Sequence, residues 1–485
     1  MKQTFDGVWL ESLFKEVLQM FQGHERMEEC LKRGSSSWLP EREGRLLVLS
    51  IGKAAISMAK AAMNSNALNA VWQDNWEGWV FTKHGYGVGD DVILLNGKTF
   101  LSCEQSHLDP WPIFESGHPI PDQASLAAAH KVRGLVSGLT QNDRLLLLLS
   151  GGASAILAAP SEGVCFQEKR SLTEALLKSG ADIHQMNCVR KHLSFLKGGG
   201  LLRCLSPGRG LTLAISDVSG DAPSSIGSGM SVPDPDTFQE AHEILCRFLG
   251  QEQSELQSIS SGGKKHLCTE HLWESVKEHF PTCAAHIEKG IQGRVQETPK
   301  PEEEVETRMP FEIMSSNGLF LETLRTHAKK MGVETFVFPG FLDRDMEVIV
   351  SDLRNELAHW RERSGIKLLC YGGEPTLKVQ GKGLGGRMQH VALCMAQHLK
   401  GYRDVWLLAG ATDGSDGPTE ASGAVVSGDT WQKALELGVS GKHALETFDS
   451  HAFHKSVKTI LYTGPTGTNL CDVVMLLVQG RCRLV

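Results

Sequence analysis

A glycine-rich loop near residue 380 has the composition of an anion-binding loop. The loop GKGLGGR (381–387) separates an apolar run, IKLLCY (366–371), from a segment with apolar residues at helical spacing (388–399). Glycines let the backbone approach a ligand, and a helix N-terminus presents unpaired N–H groups. Arg387 adds a planar fork of donors that suits phosphate or carboxylate. The predicted binding residues here are Gly383, Gly385, Gly386 and Arg387.

Acidic and amide residues follow several apolar runs that are typical of buried strands. Glu374 follows the run at 366–371, Asp217 follows LTLAIS, and Asp413 follows VWLLAGA. In open α/β sheets, ligands bind beyond the carboxyl ends of the strands. Carboxylates there can hold Mg²⁺ or accept a proton from a hydroxyl, although an Asx turn is the plainer role. Asn317, in the Ser-Ser-Asn-Gly turn after FEIMS, is a further candidate.

Two loops in the first half of the chain have the same layout. RLLVLSIGKAAISMAKAAM (45–63) runs from a strand through Gly52 into a helix, and Lys53 stands at the turn. A lysine placed against a helix dipole at a glycine turn favours a phosphate ligand over a merely solvated side chain. The leucine run 145–149 ends in SGGAS, a second candidate anion site. Its predicted binding residues are Gly151, Gly152 and Ser154.

Other polar residues in this half admit structural explanations. Arg190, Lys191 and Lys197 could give a basic edge to a ligand cleft, but a solvated helix face is the commoner arrangement. His118 lies in a loop beside two prolines, so we expect it to shape the turn.

The sequence matches one nucleotide-binding motif in part and lacks another. Gly381, Gly383 and Gly386 satisfy G-x-G-x-x-G, but the acid downstream, Asp404, precedes its apolar run and so lies at the wrong end of a strand for NAD. No G-x-x-x-x-G-K-[ST] occurs, so a nucleotide would be bound by another architecture.

Composition excludes several classes of protein. The chain of 485 residues is 41% hydrophobic and 22% charged, with a net charge of −8 and no long basic run, which argues against nucleic acid as a partner. No apolar run has membrane-spanning length, so we expect no membrane insertion. The first residues contain Asp6, Glu11 and Glu16 and no arginine, unlike a targeting signal, and we expect a cytoplasmic protein. The cysteines lack zinc-binding spacing.

The recurring strand, glycine loop and helix predict an α/β protein. A polar, proline-broken stretch ends near residue 310, where the strand and helix rhythm restarts. We predict an N-terminal domain at 1–240, a helical and polar connecting region at 241–310, and a C-terminal domain at 311–485.

Ten motifs in sequence order resemble those of one family. They are IGKAA (51–55), GHPIPD (117–122), LSGGASA (149–155), LKGGGL (196–201), SDVSGD (216–221), VPDP (232–235), YGGEPT (371–376), GKGLGGR (381–387), TDGSDGPTEASGA (412–424) and TGPTGTN (463–469). Together they resemble the class II glycerate kinases, whose C-terminal part is the MOFRL domain.

The resemblance implies an enzyme that uses ATP and Mg²⁺ to phosphorylate D-glycerate, usually to 2-phosphoglycerate. It implies a Rossmann-like N-terminal domain with a mostly parallel sheet, a MOFRL domain with a mixed sheet, and an active site in the cleft between them. By the family's motifs, Lys53 and Arg387 match its phosphate-handling cations, and Asp217, Glu374 and Asp413 match its acidic residues. Asp413 is then the candidate base. The metal ligands and the oligomeric state, including a homo-oligomer, stay open.

Four positions depart from the family's motifs: Ala153, Met230, Met388 and Ala411. Met388 replaces an asparagine, so a ligand contact could be lost. This departure favours an alternative, a nucleotide- or metabolite-binding protein of the same fold with weakened catalysis. An NAD-linked oxidoreductase is the third possibility, disfavoured by the position of Asp404.

Overall fold

The computed structural model of the protein describes residues 4–21, 24–33, 44–73, 75–102, 109–205, 209–249, 270–301 and 309–480. The strands are β1 Leu46–Ile51, β2 Trp76–Lys83, β3 Val92–Leu95, β4 Lys98–Leu101, β5 Trp111–Ser116, β6 Arg144–Leu149, β7 Arg209–Ile215, β8 Phe311–Ser315, β9 Glu334–Phe338, β10 Gly365–Gly373, β11 Val405–Ala411, β12 Gly423–Ser427, β13 Ile460–Leu461 and β14 Asp472–Gly480.

The helices connect these strands and cover the sheets. They are α1 Gly7–Met20, α2 His24–Arg33, α3 Ala55–Met63, α4 Asn66–Trp72, α5 Gln123–Ser137, α6 Ala153–Ile156, α7 Phe166–Lys178, α8 Ile183–His192, α9 Gly200–Cys204, α10 Phe238–Leu249, α11 Glu270–His279, α12 Pro281–Ile291, α13 Asn317–Lys330, α14 Met346–Arg361, α15 Arg387–Leu399, α16 Thr430–Glu436, α17 Gly441–Thr447 and α18 Ser450–Val457. No helix of the described ranges has the length and apolar character that a membrane span requires.

The chain packs as two compact units. The N-terminal unit comprises residues 27–214 and 222–314, and the C-terminal unit comprises 1–26, 215–221 and 315–485. This division differs from the predicted domain boundaries at two places. Helix α1 belongs to the C-terminal unit, where it contacts α13 and β11, and α10 to α12 pack on α7 and α8 instead of forming a separate connection. Residues 250–269 of the predicted connecting region lie outside the described part.

The N-terminal unit is built on an eight-stranded sheet in the order β3-β4-β5-β2-β1-β6-β7-β8. Strands β5, β2, β1, β6 and β7 run parallel, while β3 and β4 form an antiparallel edge. Every residue of β1 and of β6 is buried, as expected for central parallel strands covered on both faces. The predicted mostly parallel, Rossmann-like sheet is confirmed.

The C-terminal unit contains a mixed six-stranded sheet in the order β13-β12-β11-β14-β10-β9. The last strand, β14, inserts between β10 and β11 and runs antiparallel to both. The start of β14 therefore lies beside the ends of two earlier strands, where the predicted acids Glu374 and Asp413 follow. The predicted mixed sheet is confirmed.

The predicted elements around residue 380 agree with the structure except at one point. The apolar run becomes β10, α15 begins at Arg387, and the residues between them form no regular strand, with Thr376 making an isolated bridge to Asp345. Asp404 directly precedes β11, so it lies at the start of the strand. This placement agrees with the argument against a dinucleotide site.

Candidate active site

Arg387 is the first residue of α15 and pairs with two carboxylates of the C-terminal unit. Its Nη1 donates to Glu374 Oε1 at 2.9 Å, and its Nη2 lies 3.2 Å from Asp472 Oδ2. Burial alone would lower the pKa of Arg387, but the charges of Asp472 and Glu374 raise it. The side chain is 37% exposed, so a cation of fixed position remains accessible to an anionic ligand.

Asp472 is the first residue of β14 and is buried under this arginine. Burial raises the pKa of Asp472 well above its ordinary value, and the charge of Arg387 offsets this in part. Within the described residues its Oδ2 accepts no hydrogen bond. Asp472 therefore holds a proton more readily than an exposed aspartate does. The sequence analysis missed it, although an acid opening the apolar run DVVMLLV was a usable signal.

Asp217 and Glu374 lie close to the thiol of Cys471, which is the residue before Asp472. Burial raises the pKa of Cys471, and the charges of Glu374 and Asp217 raise it further. The thiol also lies 3.5 Å from the main-chain oxygen of Asp217. The backbone N–H of Glu374 donates to Asp343 Oδ1 at 2.7 Å, which fixes the turn after β10. Two of the predicted acids are thus neighbours of the Arg387 and Asp472 pair.

Asp413 is exposed in the turn after β11. Its Oδ1 accepts from the N–H of Ser415 at 3.0 Å, an Asx turn. The preceding residue, Thr412, donates to the main-chain oxygen of Cys471 at 2.7 Å and accepts from the N–H of Leu470 at 2.8 Å. These bonds tie the turn to the start of β14, and the charge of Asp413 contributes to the raised pKa of Asp472.

Asn317 is the first residue of α13 and binds the main chain at the start of β14. Its Nδ2 donates to the main-chain oxygens of Leu470 at 2.7 Å and Asp472 at 3.3 Å. Its Oδ1 is buried without a hydrogen-bond partner among the described residues, and it occupies the space that a Cβ at Gly372 would need. Asn317 has a structural role here, and its contact with a ligand stays a prediction.

The second and third amides of α15, which the sequence analysis had assigned to a ligand anion, are bound by a side chain of the protein. Asp416 accepts the N–H of Met388 on Oδ1 at 3.0 Å and the N–H of Gln389 on Oδ2 at 2.7 Å. Burial raises the pKa of Asp416, while these two hydrogen bonds act to lower it. A carboxylate of the protein itself therefore occupies the place that we had assigned to a ligand anion.

The glycines before Arg387 pack against the protein's own backbone. A Cβ at Gly381 would collide with the main chain of Thr447, and one at Gly386 would collide with Asp416. The N–H of Gly383 donates to the oxygen of Thr447 at 2.9 Å. Close packing thus explains these glycines without a ligand. Binding by Gly383, Gly385 and Gly386 stays a prediction.

Met388 lies in the hydrophobic core of the C-terminal unit. Its side chain is fully buried in the cluster between the mixed sheet, α14 and α15. The expectation that this residue replaces a ligand-binding amide is therefore not supported by its position. The other departures from the family motifs are buried as well, at Ala153, Met230 and Ala411.

In the N-terminal unit, the loops after β1 and β6 are joined. The N–H of Lys53 donates to the oxygen of Gly151 at 2.8 Å, and the N–H of Ala54 donates to Ser150 Oγ at 3.0 Å. Gly52 has a φ of +132°, and a Cβ there would collide with Ser150. The close approach therefore requires glycine at position 52, and it places Lys53 beside the SGGAS loop.

His118 lies over Gly152, next to the side chain of Lys53. Burial lowers the pKa of His118, and the charge of Lys53 lowers it further. His118, which we expected only to shape a turn, is thus a neighbour of two predicted ligand residues. Ser154 follows in α6, where its Oγ lies 2.8 Å from Ser228 Oγ and accepts from Arg190 Nη2 at 2.5 Å.

The basic residues near 190 do not form the solvated helix face that we considered the commoner arrangement. Lys191 is buried and pairs with Asp234 at 2.9 Å and Asp236 at 3.2 Å. Lys197 is also buried, and its Nζ donates to the main-chain oxygens of Ser154 and Leu157. Tertiary packing therefore places these charges inside the unit.

No group of three His, Cys, Asp or Glu side chains in the described ranges has the arrangement of a metal site. Mg²⁺ in nucleotide-dependent enzymes is commonly bound by one or two carboxylates together with phosphate oxygens and water. Glu374 and Asp217 are carboxylates of the required kind, and Glu374 is 57% exposed.

Comparison with known proteins identifies two family models along the chain. Residues 9–259 match a model described as a domain of unknown function, DUF4147, and residues 367–472 match the MOFRL family. A relative named glycerate 2-kinase, from Pyrococcus horikoshii, is 33% identical over 91% of this chain and 89% of its own. A relative from Agrobacterium vitis, with the provisional name hydroxypyruvate reductase, is 32% identical over 91% of this chain and 89% of its own.

A solved structure shows the same fold. The crystal structure of a glycerate kinase from Thermotoga maritima matches with a TM-score of 0.73 and 30% sequence identity, over 97% of this chain and 100% of that one.

Proposed function

Because this chain belongs to the class II glycerate kinase family, we propose that it transfers the γ-phosphoryl group of ATP to a hydroxyl of D-glycerate and forms 2-phosphoglycerate. The observation that carries the proposal is the grouping of Arg387, Glu374, Asp413 and Asp472 where the ends of β10 and β11 meet the start of β14. Cations and carboxylates in fixed positions are what phosphoryl transfer requires of a protein.

Arg387 is the group that neutralises the transferring phosphoryl oxygens or the glycerate carboxylate. Its guanidinium is held by Glu374 and Asp472, so little reorganisation is needed when charge develops on the substrate. Lys53 offers a second cation in the N-terminal unit, beside Gly151 and Gly152. Which of the two contacts glycerate is a matter for kinetics.

Asp413 is the proposed acceptor of the hydroxyl proton. It is exposed, and its Asx turn fixes the carboxylate at the end of β11. A base positioned in this way contributes about 10²- to 10⁴-fold to a proton-transfer step. Asp472 stays protonated more readily and is better suited to position Arg387 than to accept a proton.

Mg²⁺ enters this proposal with the nucleotide. Glu374 and Asp217 are the residues that would hold it, and the ion would supply charge neutralisation at the phosphates. The remaining steps use the chain's own groups: Arg387 and Lys53 bind anionic oxygens, and Asp413 takes the proton.

The decisive experiment measures ATP consumption with and without D-glycerate in the presence of Mg²⁺, with the product identified by ³¹P and ¹H NMR. The proposal predicts glycerate-dependent ADP formation and a phosphate ester on the 2-hydroxyl. A 3-phosphate product would correct the regiochemistry. Tight ATP or glycerate binding without turnover would support the alternative, a binding protein with lost catalysis.

A second candidate, reduction of hydroxypyruvate, is favoured by the name of the Agrobacterium vitis relative. NADH oxidation with hydroxypyruvate tests it directly. We expect no reaction, because Asp404 precedes β11 and cannot contact a ribose beyond the other end of that strand. Cytoplasmic location and self-association stay predictions, to be tested by cell fractionation and light scattering.

A further inference from the structure

A cavity of about 410 Å³ within the N-terminal unit is lined by four basic side chains, of which Arg170 is exposed and lies near Glu174, and the other three are Lys169, Arg190 and Lys197. Lys169 comes from α7, Arg190 from α8, and Lys197 from the segment after α8. Much of the remaining wall is apolar, including Pro119, Ile120, Ala158, Phe166, Leu177 and Met186.

The donors of these three cations reach neutral acceptors. Lys197 Nζ donates to the oxygens of Ser154 at 2.8 Å and Leu157 at 3.1 Å. Arg190 Nη2 donates to Ser154 Oγ, and Lys169 Nζ donates to the oxygen of Leu193, each at 2.5 Å. Within the part of the chain that the structure describes, none of the three forms a salt bridge.

Lys191 shows how this protein normally accommodates a buried lysine. Burial alone would lower the pKa of Lys191, but Asp234 and Asp236 pair with it and raise that pKa. At Lys169 and Lys197 the opposite holds. Burial lowers the pKa of Lys169 to about 7 and that of Lys197 well below its ordinary value, and neighbouring cations add to both effects.

Without a carboxylate partner the protonated forms of Lys169 and Lys197 are disfavoured in the ligand-free protein, since a buried charge needs a compensating one. The carboxylate of Glu174 also lines the cavity, but it lies 3.7 Å from Arg170 Nε on the same helix. A negatively charged ligand would supply the counter-charge that Lys169, Arg190 and Lys197 lack.

We propose that this cavity binds a small organic acid with two or more negative charges, either a dicarboxylate or a phosphomonoester, whose anionic groups pair with Lys169, Arg190 and Lys197. A monoanion would leave most of the positive charge unpaired, and the apolar wall accommodates the carbon atoms. This proposal depends on the proposed function only if the ligand is the phosphoglycerate product. A dicarboxylate unrelated to that reaction would use the same contacts.

Isothermal titration without ATP tests the charge requirement with three probes: 2-phosphoglycerate, succinate and acetate. We expect 2-phosphoglycerate, succinate or both to bind about tenfold more tightly than acetate. Preference for 2-phosphoglycerate would identify the product as the ligand, and preference for succinate would identify a separate diacid. Equal binding of acetate, or no binding of either 2-phosphoglycerate or succinate, overturns the proposal.

Lys169→Met and Lys178→Met form a matched pair, because both residues lie on α7 but Lys178 is exposed and outside the cavity lining. We expect Lys169→Met to weaken binding of the preferred dianion about tenfold and Lys178→Met to leave it within about twofold. Equal effects of the two changes would refute a specific site.

Ser154→Asp tests the same idea with a gain of charge, since it places a carboxylate against Arg190. We expect this variant to have a higher Tm than the wild type and to lose the thermal shift produced by 2-phosphoglycerate or succinate. A lower Tm with binding retained contradicts the proposal. None of these measurements needs turnover, so an inactive kinase that still binds the dianion would refute the proposed function alone.

Discussion

Arg387→Ala is expected to lower kcat/KM for D-glycerate phosphorylation by about 10²- to 10³-fold, since loss of one preorganised donor to developing charge costs about 2.7–4 kcal/mol. The arginine is held between Glu374 and Asp472, and no other arginine or lysine pairs with either acid in the described residues. Its loss therefore removes the local cation without a substitute.

The free energy of unfolding is expected to change much less than the barrier to reaction. Removing one partner of a fully buried ion pair costs about 3–5 kcal/mol because the other charge is stranded. Two features reduce this cost. Arg387 is 37% exposed, so solvent screens its interactions, and the raised pKa of Asp472 lets that group take up a proton instead. We expect a loss of about 1–2 kcal/mol.

Steady-state kinetics at saturating ATP and D-glycerate, with urea unfolding of the same preparations, separates the two effects. Arg387→Lys is the matched control, because it keeps the charge but not the fork that reaches both carboxylates, and it should retain intermediate activity. Activity of Arg387→Ala near that of the wild type would refute a role at the reaction centre. If the loss of activity is matched by the loss of unfolding free energy, the inference that Arg387 contributes more to the reaction than to stability is refuted.

Lys53→Ala should lower kcat/KM by about 10²-fold or more with the Tm little changed, because its side chain is half-buried at a loop and its backbone bond to Gly151 is retained. Asp413→Asn should lower kcat far more than it changes the KM for ATP, as expected of a base, and the reverse pattern in the same assay would reassign it to nucleotide or metal binding. Met388→Asn should destabilise the protein by about 1–3 kcal/mol in urea unfolding, because it buries an amide in an apolar cluster, and it should not raise kcat/KM. Asp472 has a raised pKa in the folded state, so it costs stability as the pH rises above its ordinary pKa of 3.8, and Asp472→Asn should lessen the decline of unfolding free energy above that pH.

The strands, the glycine loops and the acids at strand ends were predictable because they depend on local pattern. A run such as the leucines of β6 is compatible with a central parallel strand, and an acid or lysine after such a run lies at the ligand-binding end of the sheet. Lys53, Glu374 and Asp413 were predicted in this way and Arg387 from the start of a helix, and their ligand contacts stay predictions.

What could not be predicted depends on contacts between distant segments. Lys191 and Lys197 are six positions apart in one basic stretch, yet Lys191 pairs with two aspartates while Lys197 lines a cavity and donates only to main-chain oxygens. Asp472 is important because it is buried beneath Arg387, which lies 85 positions earlier in the sequence. Composition and periodicity carry no information about such pairings.

The two aspartates of the TDGSDG turn show how contacts between distant segments affect the mechanism. Asp413 is exposed and holds an Asx turn, whereas Asp416, three residues later, is buried and accepts the N–H groups of Met388 and Gln389, the second and third residues of α15. Because Asp416 fills the N-terminus of that helix, a phosphate or carboxylate ligand would have to displace it to use those amides. The guanidinium of Arg387, which remains 37% exposed, is the accessible donor at this position. Anion recognition in the C-terminal unit is therefore expected to depend on the arginine side chain and not on the helix amides, the reverse of what the glycine-rich loop suggests by itself.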